Sequence, residues 1–263
     1  MPARTTIVAT LLLVTGASAT CEPTAATCEF TLDIHKQLTG WAGWTKFYTS
    51  NGIHVDKDGT PVADQSLGIG ADGVDTSRWV IVANGTLPGP AIEVYKGQEV
   101  VVNVVNNDHT ETVSVHWHGI YQRGTPWMDG VGRLTQCSIL PGQTFTYRFT
   151  AHPVGTHWYH SHVGEQRSHG LHGAFIVREP TQDPSTEHVI LMEDYDGTAG
   201  TTRTQKSMKT FSGQGLSSWE EQSTSTILNG KGRAYDEATG AYNEAPLSVF
   251  AVSYTHLTLP TKA

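Results

Sequence analysis

Apolar and polar positions alternate in short runs through residues 78–180, and glycine and proline separate the runs. The segment RWVIVANGTLPGPAIEVYKGQEVVVNVVNN, residues 78–107, contains several such runs, and residues 112–117, 144–150 and 173–177 have the same character. β-Branched and aromatic runs bounded by turn residues are typical of strands. Because no part of this region keeps a helical period, the pattern predicts an all-β domain, a sandwich or barrel with Greek-key connections.

The segments on either side of this domain are patterned differently. Residues 20–77 are polar and rich in turn residues, with weak periodicity, and are predicted to form an N-terminal leader. Residues 178–188, REPTQDPSTEH, have the composition of a linker. HVILMEDY (188–195) and STILNGKGR (225–233) predict strands of a second domain over residues 188–250. Because only about sixty residues follow the linker, too few for a comfortable independent core, this domain is interpreted as truncated.

The two ends of the chain are interpreted as segments outside the fold. Residues 1–19 resemble a secretory signal, with Arg4, an apolar run from Ile7 to Val14, and Ala17-Ser18-Ala19 as the cleavage site. The apolar run is too short to cross a bilayer, so we expect a secreted, extracellular protein with no membrane partner. Residues 251–263, AVSYTHLTLPTKA, match the translation of a common sequencing adapter and are interpreted as a non-native tail.

Composition adds three points. A formal net charge of −8, with Lys and Arg dispersed, argues against a nucleic-acid partner. Cys21, Cys28 and Cys137 are an odd number of cysteines, so in an oxidising compartment one of them has no partner among the three. Cys137 therefore pairs with either leader cysteine or with a partner in a segment that this chain lacks. Asn84-Gly85-Thr86 is a glycosylation sequon, and the same residues equally suit an ordinary turn.

Histidines are concentrated in two short segments, HWHG at 116–119 and HWYHSH at 157–162. In a strand, residues two apart point to the same face, so His116 and His118 share a face, as do His160 and His162. Two such strands side by side would direct four imidazoles into one volume. Imidazole ligands without thiolate suit copper, zinc or iron, and copper(II) gains most from nitrogen ligands. The pattern therefore predicts a metal site.

The other histidines are interpreted more simply. A single H-x-H segment is compatible with exposed strand residues that have no role, whereas two within one domain favour a metal site. His157 has the strand parity of Tyr159 rather than of His160, so we expect it to pack or to form a hydrogen bond. His169 and His172 are candidates for supporting or loop residues. No role is assigned to His35, His54, His109, His152 and His188, and His256 lies in the segment interpreted as a non-native tail.

Three stretches resemble a known family. They are NGTLPGPAIEVYKGQEVVVNVVN, HWHGIYQRGTPWMDGVGRLTQCSILPGQTFTYRF and GTHWYHSHVGEQRSHGLHGAFIV. Together they resemble the first copper-ligand segments of the multicopper oxidases, near the laccases and ascorbate oxidases, closely over residues 78–180 and loosely over 188–233. The resemblance implies a cupredoxin-like Greek-key β-sandwich, followed by a truncated second domain of the same kind.

The resemblance also implies roles for particular residues. In this family a trinuclear copper cluster takes four histidines from the first domain and four from the last. His116 would bind the type 2 copper, and His118, His160 and His162 the type 3 pair. Asp129 resembles an acidic residue implicated in proton delivery, although an ordinary turn aspartate before a glycine is an equal explanation. Cys137 resembles a disulfide cysteine whose partner lies elsewhere in the chain.

The sequence departs from the family in two respects. Many relatives carry Asp or Ala at the position of His169. The H-C-H tripeptide that builds the type 1 copper site in the family's last domain does not occur among these 263 residues. We therefore expect an N-terminal fragment that is inactive alone and lacks its C-terminal cupredoxin domain.

The parent would be a secreted, copper-dependent oxidoreductase. It would couple one-electron oxidation of a small reducing substrate, a phenolic or related organic donor, to four-electron reduction of dioxygen to water. One alternative is a non-catalytic, secreted copper-binding β-sandwich module. A histidine-ligated zinc hydrolase is disfavoured, because no carboxylate lies among the histidines at metal-site spacing.

Overall fold

A computed structural model describes most of the region after the predicted signal, namely residues 19–42, 45, 46, 48–50, 53–61, 68–73, 78–195, 225–233, 235, 236 and 239–243. Eighteen strands are present in these residues: β1 (Ala19–Thr20), β2 (Thr27–Leu38), β3 (Trp41–Ala42), β4 (Thr45–Lys46), β5 (Tyr48–Ser50), β6 (Ile53–Val55), β7 (Trp79–Ala83), β8 (Ile92–Tyr95), β9 (Glu99–Asn106), β10 (Val115–His118), β11 (Thr144–Thr150), β12 (Gly155–Ser161), β13 (His172–Arg178), β14 (Met192–Tyr195), β15 (Ser225–Leu228), β16 (Lys231–Gly232), β17 (Tyr235–Asp236) and β18 (Ala241–Tyr242). Two single-turn 3₁₀ helices, Pro126–Met128 and Pro184–Thr186, complete the described elements, and none of the described helices is long and apolar enough to span a membrane.

Two sheets form a sandwich. One has the strand order β1-β8-β13-β12-β10 and the other the order β11-β9-β2-β7, so chain neighbours are often not sheet neighbours. The fully buried indole of Trp117 lies between the sheets, with its ring centroid 5.1–5.9 Å from those of Tyr147, Phe149, Tyr159 and Phe175. The all-β sandwich predicted from the strand pattern is confirmed.

The sandwich begins earlier in the chain than the sequence pattern predicts. β2 lies in the middle of its sheet, parallel to β9 and antiparallel to β7. Its inward side chains, Cys28, Phe30, Leu32 and Ile34, are all buried, and each large apolar one contributes roughly 1.5–3 kcal/mol. The prediction of a weakly patterned leader over residues 20–77 is therefore wrong for this strand.

The cysteines pair within the N-terminal region. A disulfide joins Cys21 to Cys28, across the turn between β1 and β2. Cys137 is an exposed free thiol. The interpretation that Cys137 pairs with a leader cysteine is therefore wrong, because the two leader cysteines pair with each other. A partner elsewhere in a longer chain stays a prediction.

The residues after the predicted linker pack against the outer face of the sandwich. β14, β15 and β16 form a three-stranded sheet. Its Tyr195 and Ile227 are buried in one apolar cluster with Val80 and Val82 of β7 and with Leu87. The guanidinium of Arg78 lies 5.3 Å from the Tyr195 ring centroid. The three-stranded sheet therefore shares a buried interface with the sandwich.

One local structure occurs twice, around the dipeptide Asn-Gly. Asn84 follows β7, accepts a hydrogen bond from the Asp33 amide at 2.7 Å and donates to the Thr31 carbonyl at 3.0 Å. Asn229 follows β15 and makes the equivalent bonds to the Leu191 amide and Val189 carbonyl, at 2.8 and 3.0 Å. Both asparagines and the glycines after them have positive φ. The antiparallel pair β14–β15 thus repeats these hydrogen bonds of the pair β2–β7.

Several predictions concern residues outside the described set. The predicted signal, apart from its last residue, and the predicted tail 251–263 both lie there. So do residues 196–224 and 244–250 of the predicted second domain.

Candidate metal centre

The two histidine segments form neighbouring antiparallel strands. In the register of β10 and β12, His116 is opposite His160, Trp117 is opposite Tyr159, and His118 is opposite Trp158. Directly opposed residues in an antiparallel pair project to the same face, so the imidazoles converge. As predicted, the two H-x-H strands lie side by side.

The four predicted imidazoles are near neighbours. The His116 ring centroid lies 5.5, 5.3 and 5.7 Å from those of His118, His160 and His162, and His160 and His162 are stacked with centroids 6.2 Å apart. Ligand nitrogens of His116, His118 and His160 all lie within 4.8 Å of one another, a spacing that allows a shared metal ion. His162, just beyond the end of β12, adjoins this tighter group of three.

The opposite face of these strands belongs to the core. Trp117 and Tyr159 are fully buried there, as strand parity predicts. Trp158 was not assigned a role from the sequence, yet it has the parity of His160. Its ring lies 4.2 Å from that of His160 and 5.1 Å from that of His118, centroid to centroid. Two of the clustered imidazoles are therefore supported by an indole.

In two of the histidines, a hydrogen bond determines which ring nitrogen keeps the lone pair that could bind a metal. His116 Nδ1 lies 2.7 Å from the Asp129 carbonyl oxygen, and His160 Nδ1 lies 2.8 Å from that of Ser161. Because a carbonyl only accepts, Nδ1 carries the proton and donates, which leaves the lone pair on Nε2. Orientation of a metal-binding imidazole through its other nitrogen is typical of metal sites.

Asp129 meets His116 in a second way. Its carboxylate Oδ1 lies 3.4 Å from His116 Nδ1. The residue also ends the 3₁₀ helix Pro126–Met128 and precedes Gly130, whose φ is +84°. A Cβ at Gly130 would lie 1.7 Å from the Val115 carbonyl oxygen, so this close turn requires glycine. Both readings of Asp129, as a turn residue and as a neighbour of the histidines, are therefore compatible with its position.

Burial favours the neutral form of two of these imidazoles. It lowers the pKa of His160 to about 4 and also lowers the pKa of His118, to which the nearby His116 adds a smaller effect. Neutral imidazole is the form that binds metals, so these two rings are ready for a cation near neutral pH.

His157, His169 and His172 do not belong to the group of three histidines that could share an ion. His157 Nε2 lies 3.0 Å from the Pro153 carbonyl oxygen, in agreement with the predicted hydrogen-bonding role. His172 is buried and lies between the Arg167 carbonyl, 3.3 Å from Nδ1, and Glu193 Oε2, 3.3 Å from Nε2. His169 is partly buried, and burial lowers its pKa.

Comparison with known proteins identifies the domain that carries this cluster. Residues 70–182 match the family described as multicopper oxidase. L-ascorbate oxidase of Cucumis sativus is 42% identical over 171 residues, which are 63% of this chain and 28% of that enzyme. A laccase of Trametes maxima is 36% identical over 206 residues, 73% of this chain and 38% of that one. Residues 70–182 therefore match a multicopper oxidase domain, and the chain spans well under half the length of these relatives.

Solved structures agree. The laccase from Botrytis aclada superposes with a TM-score of 0.54 at 28% identity, covering 86% of this chain and 35% of that one. Fet3p, a multicopper oxidase that functions in iron import, gives a TM-score of 0.55 at 29% identity, covering 78% and 33%. The predicted cupredoxin-like Greek-key sandwich is thus confirmed.

Proposed function

We propose that this chain is the N-terminal part of a secreted multicopper oxidase and supplies half the ligands of its trinuclear copper cluster. His116 would serve the type 2 copper, and His118, His160 and His162 the type 3 pair. The observation that carries the proposal is the direct opposition of His116 and His160 on paired strands, with ligand nitrogens of three imidazoles within 4.8 Å of one another.

The donor set fits copper. The three closest ligands are imidazoles with no thiolate among them, and two have an unprotonated Nε2 because Nδ1 donates to a backbone carbonyl. Nitrogen donors favour copper(II) over the other common divalent ions. When bound, copper would supply the one-electron steps that join oxidation of a donor to reduction of dioxygen.

The protein's own residues would hold and orient the metal ligands. Trp158 supports the rings of His118 and His160, and the Asp129 carbonyl orients His116. His118 and His162 are exposed, so their face is open to ligands from another domain. The Asp129 carboxyl group, whose Oδ1 lies 3.4 Å from His116 Nδ1, would relay protons during oxygen reduction.

The repeated Asn-Gly structure supports a second cupredoxin-like domain over residues 188–250. β14, β15 and Asn229 reproduce the bonds of β2, β7 and Asn84. We propose that a C-terminal cupredoxin domain of the same parent chain supplies the other cluster ligands and the type 1 copper. The reducing substrate would be a phenolic or related organic donor, as suggested by relatives named laccase and L-ascorbate oxidase.

Copper titration of the purified chain tests the proposal. We expect Cu(II) binding with nitrogen hyperfine structure in the electron paramagnetic resonance spectrum, lost in His116→Ala and His160→Ala. His157→Ala is the matched control, because its ring bonds to Pro153, and it should bind copper as the wild type does. Equal copper binding by His160→Ala and the wild type would refute the ligand assignment.

The exposed face also favours a second candidate, a non-catalytic copper-binding module, since His118 and His162 remain reachable from solvent. Sequencing the natural transcript downstream of residue 250 separates the two. An H-C-H tripeptide in a later domain supports the oxidase, whereas a stop codon directly after this region supports the module.

A further inference from the structure

We propose that Gln166 is a positioning residue for the copper-ligand strand, an inference that rests on the proposed copper site. Its side chain is 2% exposed, and its carboxamide has partners on every side. Nε2 donates to Glu111 Oε2 at 3.0 Å and to the Thr112 carbonyl at 2.9 Å. Oε1 accepts from the Ser161 hydroxyl at 2.7 Å. The carboxamide thus joins the segment before β10 to the end of β12.

Ser161 is the residue between two proposed ligands, His160 and His162. Its side chain is buried, on the face of β12 opposite to the imidazoles. Its hydroxyl oxygen also accepts the Val163 amide at 3.2 Å. The hydroxyl of Ser161, which precedes His162, therefore binds the amide of Val163, which follows it.

His162 needs such support, because β12 ends one residue earlier, at Ser161. Its own amide donates to the Ser114 carbonyl at 3.0 Å. Beyond that contact, the Val163 amide bonds to the Ser161 hydroxyl and the Gln166 amide bonds to the Val163 carbonyl. The Gln166 carboxamide in turn holds the Ser161 hydroxyl. A displaced Ser161 would move the imidazoles of both flanking histidines.

Glu111, the last residue in this series of hydrogen bonds, also binds the charged side chain of Lys36. Glu111 Oε1 accepts from Lys36 Nζ at 2.7 Å, and Lys36 lies on β2 in the opposite sheet. The hydrogen bond from Gln166, followed by that from Lys36, lowers the pKa of Glu111, so the acceptor is a carboxylate. Charge-assisted bonds are stronger than neutral ones, so these bonds hold Glu111 firmly.

The test compares two buried glutamines with equivalent bonding. Gln166→Leu keeps the approximate volume but leaves the Thr112 carbonyl, the Glu111 carboxylate and the Ser161 hydroxyl without their partner. Gln98→Leu is the matched control. Gln98 is 5% exposed, donates to the carbonyls of Glu22 and Ala25, and accepts from the Tyr95 amide. Both variants should lose thermal stability.

Copper affinity should separate them. Residues that support metal ligands typically contribute about 10–100-fold to affinity, so we expect Gln166→Leu to weaken Cu(II) binding by about tenfold and to alter its electron paramagnetic resonance spectrum. Gln98→Leu should bind copper with the wild-type affinity and spectrum. Ser161→Ala should reproduce the loss, and adding it to Gln166→Leu should cost little more, because the two residues act through one bond. Wild-type affinity and spectrum in Gln166→Leu would overturn the inference.

Amide exchange in the copper-free chain gives a reading that does not depend on copper. Exchange at Val163, whose amide bonds to Ser161, should be faster in Gln166→Leu and unchanged in Gln98→Leu. Unchanged exchange at Val163 in Gln166→Leu would overturn the positioning role. A wild-type chain that binds no copper, with Val163 exchange responding as expected, would instead refute the proposed function and leave the structural link supported.

Discussion

The Nδ1 atom of His116 lies 2.7 Å from the carbonyl oxygen of Asp129 and 3.4 Å from the carboxylate Oδ1 of the same residue. The backbone contact places the proton on Nδ1 and so exposes Nε2. The side-chain contact brings an acidic group beside the same ring. Backbone and side chain of one residue thus have separable effects on the proposed site.

Replacing Asp129 by Asn tests that separation in the complete oxidase. The backbone carbonyl remains, so copper content should stay at the wild-type level. Without a carboxyl group to relay protons, oxygen reduction should slow by about 100-fold, the lower end of general acid–base effects. Oxygen consumption and copper analysis on the same sample measure both. Wild-type turnover in Asp129→Asn would leave only the turn role for this residue.

The 263-residue chain by itself should not sustain oxygen reduction. On the proposed assignment it has half of the family's cluster ligands, and its sequence has no H-C-H tripeptide, so donor electrons would have no entry to the cluster. An oxygen electrode with the copper-loaded chain and a phenol should record no uptake above that of the copper-free chain. Sustained uptake by the wild-type chain alone would contradict this expectation.

Asn84 should be structural rather than glycosylated. Its carboxamide bonds to the Asp33 amide and the Thr31 carbonyl, and its φ is +53°. Asn84→Ala should lower the free energy of unfolding by about 2 kcal/mol, from lost bonds and a strained φ. Chemical denaturation measures the loss, and Asn107→Ala, at an exposed position, should change little. Glycosidase treatment of material secreted by a eukaryotic host should leave the mass unchanged, and a mass decrease would refute this prediction.

Glu193 should give the copper-free chain a specific pH dependence. Burial raises its pKa to about 7, with a small added effect of Asp194 and an opposing one of Arg167, and burial lowers the pKa of its partner His172. The folded chain therefore keeps a proton that the unfolded chain releases above its ordinary value of 4.5. The resulting stability is fully present below that pH and is lost as pH rises through about 7.

Glu193→Gln cannot ionise and should escape this loss. Relative to the wild type, it should gain about 2 kcal/mol between pH 5 and pH 8, measured by urea denaturation at both values. The exposed Glu179→Gln should follow the wild type at both pH values. A constant difference between Glu193→Gln and the wild type would show that Glu193 ionises normally.

The face of the strand on which each histidine lies could be predicted, because it depends only on alternation within that strand. Alternation in a strand places His116 with His118 and His160 with His162, and the same rule separates His157 from them. Trp158 follows from the same parity, although its contact with two imidazoles depends on how the strands pair.

Other features depend on distant parts of the chain. β2 was missed because its buried residues alternate with Glu29, Thr31 and Asp33 in a region that is polar on average, and its partner β9 lies about seventy residues away. The bond between Gln166 and Glu111 spans 55 residues and exists only once β10 and β12 have paired. Neither the bond between Gln166 and Glu111 nor the repeated Asn-Gly structure follows from the local sequence pattern alone.

The position of bound copper tests the central claim most directly. Crystals of the chain grown with Cu(II) should show a copper-edge anomalous peak among the imidazoles of His116, His118, His160 and His162, in contact with Nε2 of His116 and His160. The same crystals of His160→Ala should lose that peak. An anomalous peak elsewhere, with none among these four rings, would contradict the account.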